Sequence, residues 1–563
     1  MNTAYIKFHT HISQYSTVQA LRLSKMLAIV LLCASTLLPA SEAQESKLVQ
    51  INQGPVIGHK AQDENVFVFN SIPYATVPTG AQRFKAPLAP PTWVEPFDAI
   101  DKGIICPQFS VPAGKTAQED CLVASVYVPN TNKTNLPVMI IIHGGQFLVG
   151  YGDVTTPRQL VNSQKVIVVT FNYRLGIHGF LCLGTKDVPG NAGMKDQVAL
   201  LRWVKQNIAS FGGNPDEVTI VGCSAGGSSV DLLMISKLTK GLFKRVIGMS
   251  SANVGVTSVQ LDPVEYARTQ ARRFNYDAAN LHDLEQFYKN ASSALLISDP
   301  PIFNKNSSVG FTPCVERDIG QEMFLEDSPF NILKSGDYVK YPVLYGFTER
   351  DGLFRIDYFD TWKNDMNKNF SEFLPADLTF KDPIIKELVA ETVKKFYFGK
   401  QVIGNNNVLQ YVDYFTDVIF AYPMLRSLNL QVNAGNHKMY LHEYSFVDND
   451  SALIPYANIR GAAHCAQGFA AVDQNYSNLS DQYKNMKSII REVWINFATT
   501  GNPAPEGSTA LPRWPPANAN RSPCMEFGQT VELKPTVIPL RATLWDLIYA
   551  LFYRNPIPPT PGF

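Results

Sequence analysis

The chain has 563 residues, of which 45% are hydrophobic and 17% are charged, and this is enough apolar material for a large folded core. Lysine plus arginine and aspartate plus glutamate number 49 each, so the sequence has neither the basic excess of a nucleic-acid-binding protein nor an acidic tail. We therefore expect no nucleic-acid partner.

The N-terminus has the pattern of a secretory signal. Residues 26–38 are a largely apolar stretch that follows Arg22 and Lys25 and precedes the small-x-small sequence Ser41-Glu42-Ala43. The stretch is shorter than the roughly 20 apolar residues that cross a bilayer. This favours a cleaved signal over the alternative, an uncleaved membrane anchor.

We predict that residues 1–43 are a signal peptide with an unusually long prelude over residues 1–25, and that Met26 is an alternative start. The mature chain, residues 44–563, is then secreted and extracellular. Its apolar C-terminal stretch at 544–553 is too short for a membrane span, so we predict a docked helix there.

A secreted chain is open to N-glycosylation and to disulfide formation. The candidate glycosylation sites are the asparagines of eight Asn-x-Ser/Thr sequons: Asn132, Asn290, Asn306, Asn369, Asn449, Asn475, Asn478 and Asn520. Seven cysteines remain after removal of the signal, which is too few for a scaffold built from disulfides. Because seven is odd, at least one thiol has no partner within the chain.

Strand and helix patterns alternate in the first half of the mature chain. Continuous apolar runs at 136–142, 165–171 and 218–221 predict buried parallel strands. Apolar residues at helical spacing predict helices over 191–211 and 230–235. This alternation is typical of an α/β protein whose central, mostly parallel sheet is covered by helices on both faces.

The second half of the chain continues the same sheet. Residues 244–250 and 341–346 predict two further strands. Helical patterns rich in aromatic residues, over about 260–335 and 355–440, predict insertions over one end of the sheet. No linker divides the chain, so we predict one domain over residues 44–563.

A serine lies directly between a predicted strand and a predicted helix, in the sequence Gly222-Cys223-Ser224-Ala225-Gly226. The G-x-S-x-G pattern is typical of the nucleophile elbow of α/β-hydrolases, a strained turn that lifts the serine oxygen above the sheet. The alternative is a glycine-rich structural turn. The position after a buried strand favours Ser224 as a nucleophile.

A glycine loop, His143-Gly144-Gly145-Gln146-Phe147, follows the strand at 136–142. A tetrahedral oxyanion needs backbone N–H donors that approach closely, and glycines permit that approach. In this fold one donor follows the nucleophile and others come from such a loop. We therefore predict an oxyanion hole made by Gly145, Gln146 and Ala225; the alternative is a plain turn between strand and helix.

A serine nucleophile needs a base and an orienting acid, in the chain order serine, acid, histidine for this fold. His464 lies in a loop of small residues and is the candidate base, whereas His437 and His442 flank a strand and have the pattern of structural residues. The acid should follow a strand, and both Glu349 and Asp351 do so. Spacing alone does not choose between these two carboxylates.

Residues 211–226 resemble the serine signature of the type-B carboxylesterases, the family of cholinesterases and insect esterases. The resemblance runs from about residue 47 to about residue 550. Further segments similar to the family are Ile72-Pro-Tyr-Ala75, Glu119-Asp-Cys-Leu122, Asn172-Tyr-Arg-Leu-Gly176 and Trp494-Ile-Asn-Phe-Ala498. The resemblance implies the α/β-hydrolase fold, with helical insertions over the active site, in one catalytic domain.

The resemblance also implies the roles of individual residues. The acid motif of the family falls on residues 346–352 and assigns the acid role to Asp351, and the histidine of the family falls on His464. The first disulfide of the family falls on Cys106 and Cys121. The resemblance implies no metal and no cofactor.

Three positions depart from the family pattern. Cys223 replaces the usual glutamate before the nucleophile, and Gln467 replaces the acidic residue usual after the histidine. Gln146 replaces the third oxyanion glycine. We expect the loss of two carboxylates to alter deacylation or substrate choice. Cys223 and Cys465 flank two candidate catalytic residues. We expect two buried free thiols, with a disulfide as the alternative, which would need Cα atoms within roughly 7 Å.

The resemblance implies a carboxylic ester hydrolase that forms an acyl-enzyme on a Ser-His-Asp triad. The elbow, the loop of His464 and the short C-terminus are most similar to secreted lepidopteran antennal or integument esterases, which implies small apolar esters such as odorant or pheromone acetates, or xenobiotic esters. Phe147 and residues 411–420 are candidates for an apolar acyl pocket, with core packing as the alternative. The other candidate functions are a juvenile hormone esterase and a non-catalytic adhesion homologue.

Overall fold

The computed structural model describes residues 44–62, 64–299, 304–472, 479–508 and 511–560. The predicted signal peptide, residues 1–43, and the sequons at Asn475 and Asn478 lie outside these described residues. Residues Ser46–Phe563 form one compact unit.

Runs of β-branched and aliphatic residues form the strands of the described chain. In chain order these strands are β1 Ser46–Ile51, β2 Gly54–Lys60, β3 Val66–Pro73, β4 Phe97–Asp98, β5 Ile104–Ile105, β6 Thr116–Ala117, β7 Val123–Pro129, β8 Leu136–Ile142, β9 Ile167–Phe171, β10 Gly213–Cys223, β11 Arg245–Met249, β12 Val343–Thr348, β13 Met439–Tyr444, β14 Cys524–Phe527 and β15 Val531–Lys534. Strands β5 and β6 pair with each other, and the others build a 13-stranded sheet.

The sheet is parallel in its middle and antiparallel at both edges. Its order is β1-β2-β3-β7-β9-β8-β10-β11-β12-β13-β14-β15, with β4 beside β2. Every pairing from β9 through β14 is parallel. The mostly parallel central sheet predicted from the apolar runs is therefore confirmed. The carboxyl ends of its parallel strands lie along one edge, where ligands bind in open α/β sheets.

Helices fill the connections between strands. The described helices are Arg158–Asn162, Gly176–Phe180, Ala192–Asn207, Ala225–Ile235, Pro263–Arg273, Leu281–Asn290, Ser293–Leu296, Pro329–Ser335, Phe359–Lys368, Pro383–Phe398, Val408–Phe415, Tyr422–Asn433, Ala466–Ala471, Asp481–Thr500 and Pro539–Phe552, with shorter 3₁₀ segments between them. The helix predicted over residues 191–211 is present, and its last turn tightens into a 3₁₀ segment at Ile208–Phe211.

Two apolar cores lie on the two faces of the sheet. Alternate residues of β8 point to opposite faces, so Ile140 belongs to one core and Met139 to the other. The first core holds the helices Ala192–Asn207 and Ala225–Ile235, and the second holds the helix Asp481–Thr500. Helices therefore cover both faces, as predicted.

A third core lies within the aromatic insertion. It joins the helices between residues 351 and 422 to the C-terminal helix Pro539–Phe552, whose Trp545 is fully buried. The predicted docking of the C-terminal segment is therefore confirmed. Among the described residues, no helix is both long enough and apolar enough to cross a membrane.

The disulfides of the described chain join Cys106 to Cys121, Cys182 to Cys314 and Cys223 to Cys465, and Cys524 is a buried free thiol. Four sequon asparagines are exposed: Asn132, Asn290, Asn449 and Asn520. Asn306 and Asn369 are half-buried, and each accepts hydrogen bonds from the serine two residues ahead. Glycosylation at these sites stays a prediction.

Candidate active site

Ser224 lies at the sharp turn between β10 and the helix Ala225–Ile235. Its backbone has φ 60° and ψ −128°, a conformation that residues other than glycine rarely adopt. The Ser224 N–H donates to the carbonyl of Met249 at 3.0 Å, and its carbonyl accepts from the N–H of Ser228 at 2.9 Å. These two bonds hold the strained turn in place, as expected for a residue whose strain serves function.

The two glycines of the G-x-S-x-G sequence are required by close backbone contacts. A Cβ atom at Gly222 would lie 2.1 Å from the carbonyl oxygen of Gly226. A Cβ atom at Gly226 would lie 2.1 Å from the carbonyl oxygen of Ile142, at the end of β8. The elbow therefore packs directly on the neighbouring strand, and this brings the glycine loop after β8 beside Ser224.

The glycine loop after β8 approaches the serine closely. A Cβ atom at Gly144 would lie 3.1 Å from the Cβ of Ser224. Gly145, Gln146 and Phe147 have successive positive φ angles of 106°, 57° and 63°. Runs of backbone N–H groups in such conformations form concave anion sites, and the N–H of Ala225 begins the helix across from them. Gln146 and Ala225, two of the three predicted donors, line the same pocket as Ser224.

Burial keeps the start of this loop uncharged. His143 is buried, which lowers its pKa to about 4, and its ring stacks on Tyr173 with centroids 4.3 Å apart. Its Nδ1 lies 2.8 Å from the carbonyl oxygen of Gly144, and the hydroxyl of Tyr173 donates to the His143 carbonyl at 3.0 Å. His143 is therefore neutral at pH 7, and its stacking on Tyr173 and the Tyr173 hydrogen bond hold the start of the loop in place.

The structure brings His464 and Asp351 together. His464 Nδ1 lies 2.8 Å from Asp351 Oδ1. The Asp351 side chain is fully buried, and its second oxygen accepts the N–H of Thr348 at 2.8 Å. Glu349, the other carboxylate left open by spacing, is 39% exposed and pairs with Arg350 at 2.9 Å. Of the two carboxylates, Asp351 is therefore the one within hydrogen-bond distance of His464.

Two phenylalanine rings connect His464 to the pocket of Ser224. The imidazole centroid lies 5.1 Å from that of Phe354 and 4.3 Å from that of Phe420. Both phenylalanines line the pocket that also contains Ser224. Nε2 of His464 is buried and has no hydrogen-bond partner among the described residues. That nitrogen is therefore available to accept a proton.

The other two candidate histidines have structural positions, as expected. The ring of His442 lies against Gly346, where an added Cβ atom would come within 2.0 Å of its Nε2, and burial lowers its pKa to about 4. His437 is exposed at the surface after the helix Tyr422–Asn433. Neither lines the pocket in the described part of the chain.

The pocket at Ser224 is lined by both apolar and polar side chains. The expected apolar lining is present in Phe147, Ile419 and Phe420. Tyr411, by contrast, packs in the third core, so the alternative reading holds for the first part of segment 411–420. The segment changes from core packing to pocket lining at the π-helical turn Thr416–Ala421, which contains the lining residues Ile419 and Phe420.

Sequence reasoning missed a polar part of the pocket wall. Ser228, Ser251 and Thr257 line it with hydroxyls, and Arg355 lines it with a guanidinium-bearing side chain. The signal that was available is the position of Arg355, four residues after Asp351 and within the same 3₁₀ segment, Asp351–Tyr358.

The expectation of two free thiols at Cys223 and Cys465 is wrong, because the two cysteines form a disulfide. Their Cα atoms are 6.0 Å apart, within bonding range, although 242 positions separate them in sequence. The bridge joins the residue before Ser224 to the residue after His464. It therefore ties the elbow directly to the histidine loop.

Gln467 lies buried beneath the site. Its Nε2 donates to the Ser250 hydroxyl at 2.9 Å and points to the carbonyl of Gly346 at 3.4 Å. Ser250 directly follows β11 and Gly346 lies within β12, so the glutamine connects the helix after His464 to two strands. An amide at this position provides hydrogen bonds without a negative charge.

Comparisons with known proteins agree with this geometry. Residues 45–542 match the family model described as "Carboxylesterase family". A carboxylic ester hydrolase of Bombus ignitus is 33% identical over 77% of this chain and 81% of its own length. A juvenile hormone esterase of Heliothis virescens is 30% identical over 92% of this chain and 95% of its own length.

A solved structure shares the fold. The crystal structure of juvenile hormone esterase from Manduca sexta, with OTFP covalently attached, superposes with a TM-score of 0.79 at 28% identity, over 90% of this chain and 100% of that one. The predicted α/β-hydrolase fold is therefore confirmed.

Proposed function

We propose, from the premise that the chain belongs to the carboxylesterase family, that it hydrolyses small carboxylic esters through an acyl-enzyme on Ser224. The family makes the chain a carboxylic ester hydrolase; the residue roles and the substrate are the proposal. The observation that carries it is the buried pair of Asp351 and His464, whose imidazole contacts two phenylalanines of the Ser224 pocket.

In the proposed first step, Ser224 Oγ attacks the ester carbonyl carbon while His464 Nε2 takes the hydroxyl proton. Asp351 accepts the Nδ1–H of His464, which keeps Nε2 free of a proton at the start and stabilises the imidazolium that forms. The tetrahedral intermediate then collapses. Its bond to the alcohol oxygen breaks, and Nε2 gives the proton to the departing alcohol.

The backbone N–H groups of Gly145, Gln146 and Ala225 are proposed to hold the oxyanion of that intermediate. Donors fixed in advance by the fold cost no reorganisation when the charge develops, and one such donor is worth about 10²- to 10³-fold in kcat. Gln146 adopts the left-handed backbone conformation although it is not a glycine, which means that the fold supports the strain. Its backbone N–H can therefore serve as a donor in place of the usual glycine N–H.

In the second step, a water molecule attacks the acyl carbon and gives its proton to His464 Nε2. The bond from the acyl group to Ser224 Oγ breaks, the serine recovers the proton, and a carboxylic acid leaves. The usual carboxylates behind this site are absent. Cys223 is in a disulfide and Gln467 is an amide, so His464 and Asp351 are proposed to position the water without their help.

The pocket at Ser224 is lined by several aromatic and aliphatic side chains, which suit the hydrocarbon parts of an ester. We propose that the substrates are short esters such as odorant or pheromone acetates, or xenobiotic esters. We also propose that the enzyme is secreted. The juvenile hormone alternative gains no advantage, because relatives with that name and general carboxylic ester hydrolases resemble the chain to a similar degree. The non-catalytic alternative does not account for the strained serine beside an oriented histidine.

Labelling with a fluorophosphonate probe tests this proposal. The purified protein should form a covalent adduct, which peptide mass mapping should place on Ser224, and it should hydrolyse short-chain aryl esters. Heat-denatured protein is the control, since an activated serine requires the folded site. A folded protein that takes up no label and hydrolyses no ester would rule out the proposal in favour of a non-catalytic homologue.

A second prediction concerns the disulfide that ties the elbow to the histidine loop. The double variant Cys223→Ala with Cys465→Ala should lose about 2–5 kcal/mol of stability, as for other native disulfides. Its kcat should fall by up to about 100-fold, since small misplacements of reacting groups have effects of that size. Thermal unfolding and aryl ester kinetics measure the two effects.

The matched control is Cys182→Ala with Cys314→Ala, which removes a disulfide that does not line the described pocket. This control should lose stability with little change in kcat. Equal kcat losses in the two double variants would show that the Cys223–Cys465 bridge acts on stability alone.

A further inference from the structure

Arg355 is a buried cation in the wall of the Ser224 pocket. Its side chain is 1% exposed, and it lines the pocket together with Ser224 and Phe354. The guanidinium carbon lies 5.2 Å from the Phe354 ring centroid, and the same ring lies 5.1 Å from the imidazole of His464. The guanidinium and the candidate base therefore lie near the same aromatic ring.

The guanidinium keeps its charge in this position. Burial lowers the pKa of Arg355 to about 10, and the nearby Tyr358 and Tyr411 act in the opposite direction. The group is therefore protonated at neutral pH. A positive charge in a pocket wall of low polarity attracts a negative group far more strongly than the same charge in water.

Hydroxyl groups continue the polar surface of the same pocket. Ser228 Oγ lies 2.6 Å from Ser251 Oγ and 2.7 Å from Ser258 Oγ, in a buried chain of hydrogen bonds. Ser228, Ser251 and Thr257 all line the pocket. The wall thus combines one cation and several hydroxyl-bearing residues with its apolar residues, and such placed polar groups fix the orientation of a ligand.

We infer that Arg355 forms a subsite for an anionic group of the substrate, so that the enzyme favours small esters bearing a carboxylate a few bonds from the scissile carbonyl. This inference rests on the proposed ester hydrolysis at Ser224 and narrows its substrate class. The guanidinium suits a carboxylate because its planar donors match the two oxygens.

Two pairs of isosteric esters test the inference. Monobutyl succinate carries its carboxylate in the acyl part, and butyl isocaproate replaces that carboxylate by an isopropyl group. 3-Acetoxypropionate and isoamyl acetate form the same pair for the alcohol part. In at least one pair, the wild-type enzyme should have the larger kcat/KM for the charged ester.

The variant Arg355→Gln should lower the ratio of kcat/KM, charged to neutral, by about 10- to 100-fold in the preferred pair, the effect of one charge-assisted hydrogen bond. The matched variant Arg355→Lys keeps the positive charge but loses the planar pair of donors, so its ratio should lie between those of the wild type and Arg355→Gln. An unchanged ratio in Arg355→Gln for both pairs would overturn the inference. Fluorophosphonate labelling of each variant reports whether its active site has folded.

The test separates the inference from the proposed function. A wild-type enzyme that takes up the fluorophosphonate label but prefers the neutral ester in both pairs overturns the subsite alone, without need of any variant. A wild-type protein that takes up no label and hydrolyses none of the four esters overturns the proposed function instead.

Discussion

Replacing Ser224 by alanine should lower kcat for ester hydrolysis by about a millionfold, the effect of removing the serine nucleophile from a comparable triad. The reason is that Ser224 occupies the strained elbow, in a pocket lined by the two phenylalanines that contact His464. Labelling by the fluorophosphonate should disappear. Residual turnover would come from the oxyanion hole and from substrate binding alone.

Ser229→Ala is the matched control for this variant. Ser229 lies on the same helix, but it is fully buried and its hydroxyl accepts a hydrogen bond from Gln197 at 3.1 Å. The control should still be labelled. Steady-state kinetics with a short-chain aryl ester measure both variants, and a Ser224→Ala protein with kcat near that of the wild type would exclude Ser224 as the nucleophile.

Replacing Asp351 by asparagine should lower kcat by about 10⁴-fold. The amide has nearly the same shape, but it presents an N–H to the imidazole as readily as an oxygen. His464 is then no longer held as the tautomer whose Nε2 is free, and the developing imidazolium loses its negative partner. Circular dichroism should show an unchanged fold, because the exchange is nearly isosteric.

Glu349→Gln makes the comparison specific. Glu349 is partly exposed and pairs with Arg350, so its charge is screened by solvent and its loss should have little effect on kcat. Parallel measurement of the two amide variants decides between the carboxylates. A large loss in Glu349→Gln with a small loss in Asp351→Asn would reverse the assignment of the acid.

The features that depend on local sequence could be predicted. Strands β8 and β9 and residues 218–221 of β10 are largely apolar runs, and the turn at Ser224 follows from small residues next to a buried strand. The contact of Gly226 with the carbonyl of Ile142 is a steric requirement that the G-x-S-x-G pattern already carries. Local rules of this kind hold because they involve neighbouring atoms.

Features that depend on distant contacts could not be predicted from the residues alone. Glu349 and Asp351 both follow β12, and only the arrival of His464 from more than 100 positions away separates their surroundings. Likewise, the helical pattern of residues 411–420 does not show where a π-helical turn will rotate the chain. Arg355 looks like a surface cation until the aromatic insertion covers it.

The disulfide between Cys223 and Cys465 constrains how this site can change over generations. A substitution at either position alone removes the bridge and also leaves a lone thiol, beside the nucleophile in one case and beside the histidine in the other. Such a thiol is open to oxidation or to a mixed disulfide next to the reacting atoms. We therefore expect the two cysteines to be kept together or lost together, because a change at one position alone leaves the other as a free thiol.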